Sequence, residues 1–94
     1  MSTAKVLDPY ADKDFKWSWG DWLQEGESIA SFVITDYAPL EMHDENITDG
    51  GESVTAWFRG SADGTNYYPD CKIVTDSVPP RKDSMTMKIE GKDV

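Results

Sequence analysis

The chain has 94 residues, 18 of them acidic and 9 basic, giving a net charge of −9, and it carries a single cysteine. That length admits one domain, the charge repels nucleic-acid phosphates over most of the surface, and a lone cysteine excludes an internal disulfide framework. Apolar residues make up only 38%, yet 4 Trp and 4 Tyr concentrate burial in a few bulky groups, which suits a thin two-layer core.

Residues 1–12 are polar, contain Pro9, and show neither helical nor strand periodicity, which predicts an extended arm ahead of a domain over 13–94. Val6, Leu7 and Tyr10 are too apolar to be left idle in solvent and are expected to meet a partner. The first seven residues lack the apolar run of a secretory signal, and no stretch approaches the roughly 20 apolar residues that span a bilayer, so cytosolic synthesis without membrane insertion is expected.

Phe15 and Trp17 alternate with polar residues, predicting a strand over 14–18. Trp19, Trp22 and Leu23 then fall at i, i+3 and i+4, which predicts one helical turn whose apolar side chains plug an end of the core. Gly26 closes that turn by taking a positive φ. Residues 28–36 form a strand with Ile29, Ser31, Val33 and Thr35 on one face and Ala30, Phe32 and Ile34 on the other.

The polar run His43–Asn46 makes 40–47 an edge strand, and 48–52 is a turn by composition. Ser53–Arg59 carries apolar weight on both faces, as a central strand does, or one whose outer face, bearing Trp57, meets another subunit. After a turn at 60–64, a strand over 66–76 directs Tyr67, Cys71 and Ile73 inward, with Pro69 near its start. Pro79 and Pro80 end it, and a last strand over 82–90 points Met85, Met87 and Ile89 inward. Short strands at this spacing predict an all-β domain, either an immunoglobulin-like sandwich or a small barrel.

Little in the chain suggests catalysis, since there is one histidine, one cysteine and no glycine-rich phosphate loop. His43 with Asp44 and Glu45 is a poor metal set, because neighbours on an extended segment point to opposite faces. Asp49, Glu52 and Asp63 supply the oxygen ligands calcium takes, without an EF-hand spacing. Cys71 reads as a core thiol. No catalytic, cofactor-binding or metal residue and no small-molecule substrate is assigned.

The block Phe15, Ser18, Trp19, Trp22, Leu23, Gly26, Glu27 and Ile29 resembles the opening of a family of small immunoglobulin-like virion proteins of tailed bacteriophages, described as fibre–tail adaptors or decoration-type structural proteins. Leu7-Asp8-Pro9 is similar to the family's Asp-Pro leader, and 54–60 with 64–67 to its strand, glycine-rich turn and tyrosine. The chain departs from the pattern at Ser18, where an acid is common, and at 77–81, where the family has a Ser-x-Gly-Arg turn.

The resemblance implies an immunoglobulin-like β-sandwich of about seven short antiparallel strands with an extended N-terminal arm. It also implies a non-enzymatic virion protein that joins tail or head–tail parts to fibres or decorates the capsid. Partners would be tail, fibre, portal-proximal or capsid subunits, met in multiple symmetric copies after synthesis in the host cytoplasm. Val6, Leu7, Asp8, Tyr10 and Trp57 are the expected contact residues, and Phe15, Trp19, Trp22, Leu23, Gly26 and Ile29 the expected anchors. Deleting 1–12 is accordingly expected to abolish attachment with little loss of folding. A carbohydrate-binding or adhesion module is the alternative, with Trp17, Trp57, Tyr67 and Tyr68 stacking on sugar rings.

Overall fold

The computed structural model describes residues 5–93, and almost every ordered segment in it is a short strand. In chain order these are β1 (Lys5–Leu7), β2 (Asp12–Ser18), β3 (Ile29–Thr35), β4 (Glu41–Thr48), β5 (Ser53–Arg59), β6 (Asn66–Tyr67), β7 (Asp70–Thr75), β8 (Lys82–Thr86) and β9 (Ile89–Gly91). They form three three-stranded sheets, ordered β1-β9-β6, β2-β5-β4 and β3-β7-β8. The domain is therefore all-β, with nine strands among the described residues rather than about seven.

Period-2 alternation carries directly into β2 and β5. Phe15 and Trp17 from β2 and Val54, Ala56 and Phe58 from β5 are all buried, and β2 pairs antiparallel to β5 in register from Asp12↔Arg59 to Ser18↔Ser53. β5 is central, and β4 is an edge whose pairing slips between His43 and Asn46. Such a bulge breaks up an edge that would otherwise invite another strand. Phe58 is the hub of the core, with Phe15, Trp17 and Tyr37 rings at centroid distances of 6.0, 6.2 and 5.9 Å.

The structure corrects three strand expectations. A bulge between Ile29 and Ser31 breaks the alternation of β3, so Ile29 is buried together with Ile34 while Val33 is exposed. The expected strand over 66–76 is two strands in different sheets, because buried Pro69 has no N–H to continue a ladder, and its carbonyl instead accepts from the Met87 amide. The expected strand over 82–90 breaks opposite it, leaving Met85 partly exposed on β8 while Met87 and Ile89 are buried.

β1 pairs parallel to β9, from Lys5↔Ile89 to Leu7↔Gly91. Leu7 has no exposed surface and lies in the common core. Its carbonyl accepts hydrogen bonds from buried Ser61 Oγ at 2.7 Å and from the Lys92 amide at 3.2 Å. Gly91 is required by close approach, since a Cβ there would sit 2.1 Å from the Ala62 carbonyl oxygen.

These pairings give the molecule two ends. Ser18, Asp49–Gly51, Ser28 and the loop after Thr75 meet at one, where the Asp76 amide donates to the Ser28 carbonyl. Asp12, Glu41 and Arg59 meet at the other, next to the turn at 8–11.

Candidate functional site

At the Asp12 end the chain turns tightly between β1 and β2. Asp8 organises the turn, its carboxylate accepting from the Tyr10 amide at 2.7 Å and its carbonyl from the Ala11 amide at 2.9 Å, a local side-chain-to-backbone closure typical of aspartate. Tyr10 is the outcome, 98% exposed on a fixed turn, and Val6, on the preceding strand β1, is more than a third exposed. Leu7, between them, is given over to the core.

The outer face of β2, β5 and β4 continues from this turn. Trp57 is stacked at 5.9 Å on His43, and His43 bridges two carboxylates, with Nε2 2.8 Å from Asp12 and Nδ1 2.9 Å from Asp44. Those carboxylates, Asp12 first, raise the His43 pKa above its usual 6.5. Arg59 donates to Glu41 at 2.8 Å, and Asp12 lies 3.8 Å away. Acids and bases are thus matched around the ring of Trp57, and among the described residues no serine, threonine or cysteine hydrogen-bonds His43 as a nucleophile would.

The opposite end is built around the Trp19–Leu23 turn. The Trp22 and Leu23 amides both donate to the Trp19 carbonyl, a single helical turn. Trp19 is buried and its Nε1 donates to Asp83 at 3.0 Å, whereas Trp22 and Leu23 are half-buried against the core. Gly26 takes φ 80° and hands the chain to Glu27. Buried Glu27 is held by Arg81, whose Nε donates at 2.9 Å and whose Nη2 donates to the second carboxylate oxygen. Arg81 also lies 4.0 Å over the Trp22 ring and donates to the Trp22 carbonyl.

The guanidinium, helped by the Gln24 amide, holds the Glu27 carboxyl well below the usual carboxylate range. A depressed carboxyl stabilises the fold at pH values above its unfolded pKa, near 4.5, and that contribution drains away as pH falls toward the folded pKa. Glu27→Gln is therefore expected to lower the melting temperature at pH 7 by on the order of 10 °C. The same variant should narrow the difference between melting temperatures at pH 7 and pH 3; parallel profiles for variant and parent would refute the assignment.

Beyond this clamp, the loop at 76–80 exposes Val78 almost completely, at 97%. Ser77 Oγ, donating to the Pro79 carbonyl at 2.9 Å, fixes the loop. Sequence reasoning missed Val78, although an apolar residue ahead of two prolines in a turn was a readable sign. It also missed the Glu27–Arg81 pair, whose partners lie far apart in the chain.

Among the other candidates, Asp49 pairs with Lys16 at 2.9 Å and Asp63 accepts from the Asp93 amide. Asp49 and Glu52 both precede β5 and Asp63 follows its far end, so the calcium candidates do not converge. Among the described residues no cluster of three or more His, Cys, Asp or Glu could hold a metal, and no helix is long and apolar enough to cross a membrane. Cys71 is fully buried, and burial pushes its thiol up to about 12. Of the four rings named for sugar stacking, Trp17 and Tyr67 are buried; Trp57 and Tyr68 are exposed. Buried Trp17 Nε1 finds no acceptor among the described residues.

Neither the curated proteins nor the solved structures contain a match to this chain. The protein-family model described as "Podophage GP4 fiber-tail adaptor protein gp77" matches residues 7–90, which takes in the Asp8 turn, both tryptophan anchors, the Arg81 clamp and all of β2 to β8. The chain therefore belongs to the family of podophage fibre–tail adaptor proteins.

Proposed function

We propose that the chain is a non-enzymatic structural joint of a phage virion, linking tail to fibre, and that the Asp8 turn and the Trp57 face make the contact. The observation that carries this reading is Tyr10, 98% exposed on a turn fixed by Asp8. An exposed aromatic ring on a fixed backbone turn has much apolar area to bury and only two side-chain torsions to order on binding, which is how interface anchors work. Val6, Asp8 and Trp57 are the further contact residues of this reading, and Leu7 fastens the turn to the core.

A net charge of −9 keeps free copies apart and directs them to basic surfaces on tail or fibre subunits. Repeated symmetric copies around a tail, assembled after synthesis in the host cytoplasm, fit a small subunit of this kind. The family favours the tail over capsid decoration. We read the sheets β2-β5-β4 and β3-β7-β8 as the two layers of an immunoglobulin-like sandwich, with β1-β9-β6 closing one side; the single shared core supports this.

Tyr10→Ala tests the proposal. Folding stability should change by no more than about 0.5 kcal/mol, as for other surface positions. Attachment to particles lacking the protein should weaken roughly 30-fold, the effect of losing about 2 kcal/mol at an anchor. Undiminished attachment would remove the Asp8 turn from the interface.

A further inference from the structure

Two strand edges face each other across the side of the molecule without a ladder between them. β2 pairs only with β5, and β8 only with β7, among the described residues. Each therefore has one edge whose backbone donors and acceptors lie outside any sheet. Between them runs a groove of about 260 Å³ lined by Lys16 and Trp17 from β2, Met85 from β8, Met87, Lys5 and Lys88.

The groove is bounded at both ends. The Trp19 Nε1 to Asp83 hydrogen bond of 3.0 Å ties β2 to β8 at one end, and the Lys5 amide, donating to the Lys88 carbonyl at 2.9 Å, closes the other.

Three features point to an occupant. Trp17, 1% exposed, forms part of the lining, and its indole N–H finds no acceptor among the described residues, a costly state that an incoming carbonyl or carboxylate would relieve. Met85, expected inward by alternation, is instead 36% exposed, and a flexible thioether of this kind packs well against an incoming side chain. Charge is the third: three of the 9 basic residues of a strongly acidic chain stand around this one groove. Lys16 is paired with Asp49, Lys88 reaches Glu90 only at 3.8 Å, and Lys5 has no ion pair among the described residues. Toward the Trp19 end the surface becomes acidic, with Asp21, Glu52 and Asp83.

We infer that this groove receives an extended segment of a partner virion protein, which adds a strand to the open edge of β2 or β8 and places a carboxylate by Lys5 and Lys88. Main-chain hydrogen bonds to the edge supply affinity in this mode, and side-chain pockets supply specificity. The inference rests on the adaptor reading for the partner being a virion protein. It concerns a surface distinct from the Tyr10 turn, on another side of β2.

Lysine footprinting by acetylation and mass spectrometry tests it, comparing the full chain free in solution and after incorporation into particles lacking it. Lys5 and Lys88 are expected to lose at least tenfold in labelling on incorporation while Lys92 does not. The double variant Lys5→Glu/Lys88→Glu should melt like the parent yet incorporate at least tenfold less. Incorporation with both lysines still labelled overturns the inference and leaves the adaptor reading standing. Protection already present in the free chain also overturns it, because the protein's own ends would then fill the groove. Failure of the parent chain to incorporate at all removes the adaptor reading and this inference together.

Discussion

Phe58→Ala is expected to destabilise the domain by about 3–5 kcal/mol, the range for deleting a buried aromatic from a core that cannot collapse around the gap. Phe58 has no exposed surface, sits on the central strand β5, and touches three other rings. Those rings come from β2 and from the 36–40 loop, so the cavity would loosen the joint between sheet and loop as well as the sheet itself. Against a total stability of about 5–15 kcal/mol, such a loss would bring the midpoint of thermal unfolding down by on the order of 20 °C. Circular dichroism melting reads this directly, with Tyr68→Ala, half exposed, as the control expected to stay within about 0.5 kcal/mol of the parent. A Phe58→Ala protein melting with the control would mean that the aromatic cluster is not the centre of the fold.

Truncation of residues 1–7 is the second large effect. Deletion of the whole 1–12 leader is expected from sequence to be nearly silent for folding, whereas losing even residues 1–7 should cost about 3 kcal/mol or more, on the order of 15 °C in melting temperature. Leu7 alone accounts for a buried leucine, and its removal also strips β9 of its parallel partner. Buried Ser61 Oγ would lose the carbonyl to which it donates, an uncompensated polar group that adds to the penalty. Leu7→Ala, which keeps the backbone ladder, separates the terms and should show most of the loss. An unchanged melting curve for the truncated chain would place the leader outside the cooperative unit, and any attachment defect would then belong to the arm alone.

What could be read from sequence followed from local periodicity. β2 and β5 announce themselves by strict alternation, and the i, i+3, i+4 spacing of Trp19, Trp22 and Leu23 gives the helical turn. What failed depends on partners distant in the chain. Residues 66–76 and 82–90 alternate well enough to pass for two continuous strands, yet both break where the Met87 amide meets the Pro69 carbonyl, and that meeting is tertiary. Pro69 marked the break in advance, since a missing donor fits a strand boundary better than a strand interior. The bulge in β3 displaces the alternation by one residue and leaves Val33 exposed, with no marker in the residues themselves.

The candidate site divides in the same way. Tyr10 and Trp57 were legible as apolar residues in polar surroundings, and both are exposed. Leu7 looked alike but is buried, because only the β1–β9 pairing decides which of two neighbouring apolar residues turns inward. The groove between β2 and β8 could not be foreseen at all, since it exists only once two strands from opposite halves of the chain lie side by side.

The parallel pairing of Lys5–Leu7 with Ile89–Gly91 sets an order on synthesis. β1 leaves the ribosome well before β9 and cannot find this ladder until the strands between them have followed, and closing so long a loop comes late in folding. Until then Leu7 is a bare hydrophobe and the side of the nascent domain that β1 will cover stands open, so translation itself delays the closing of the core.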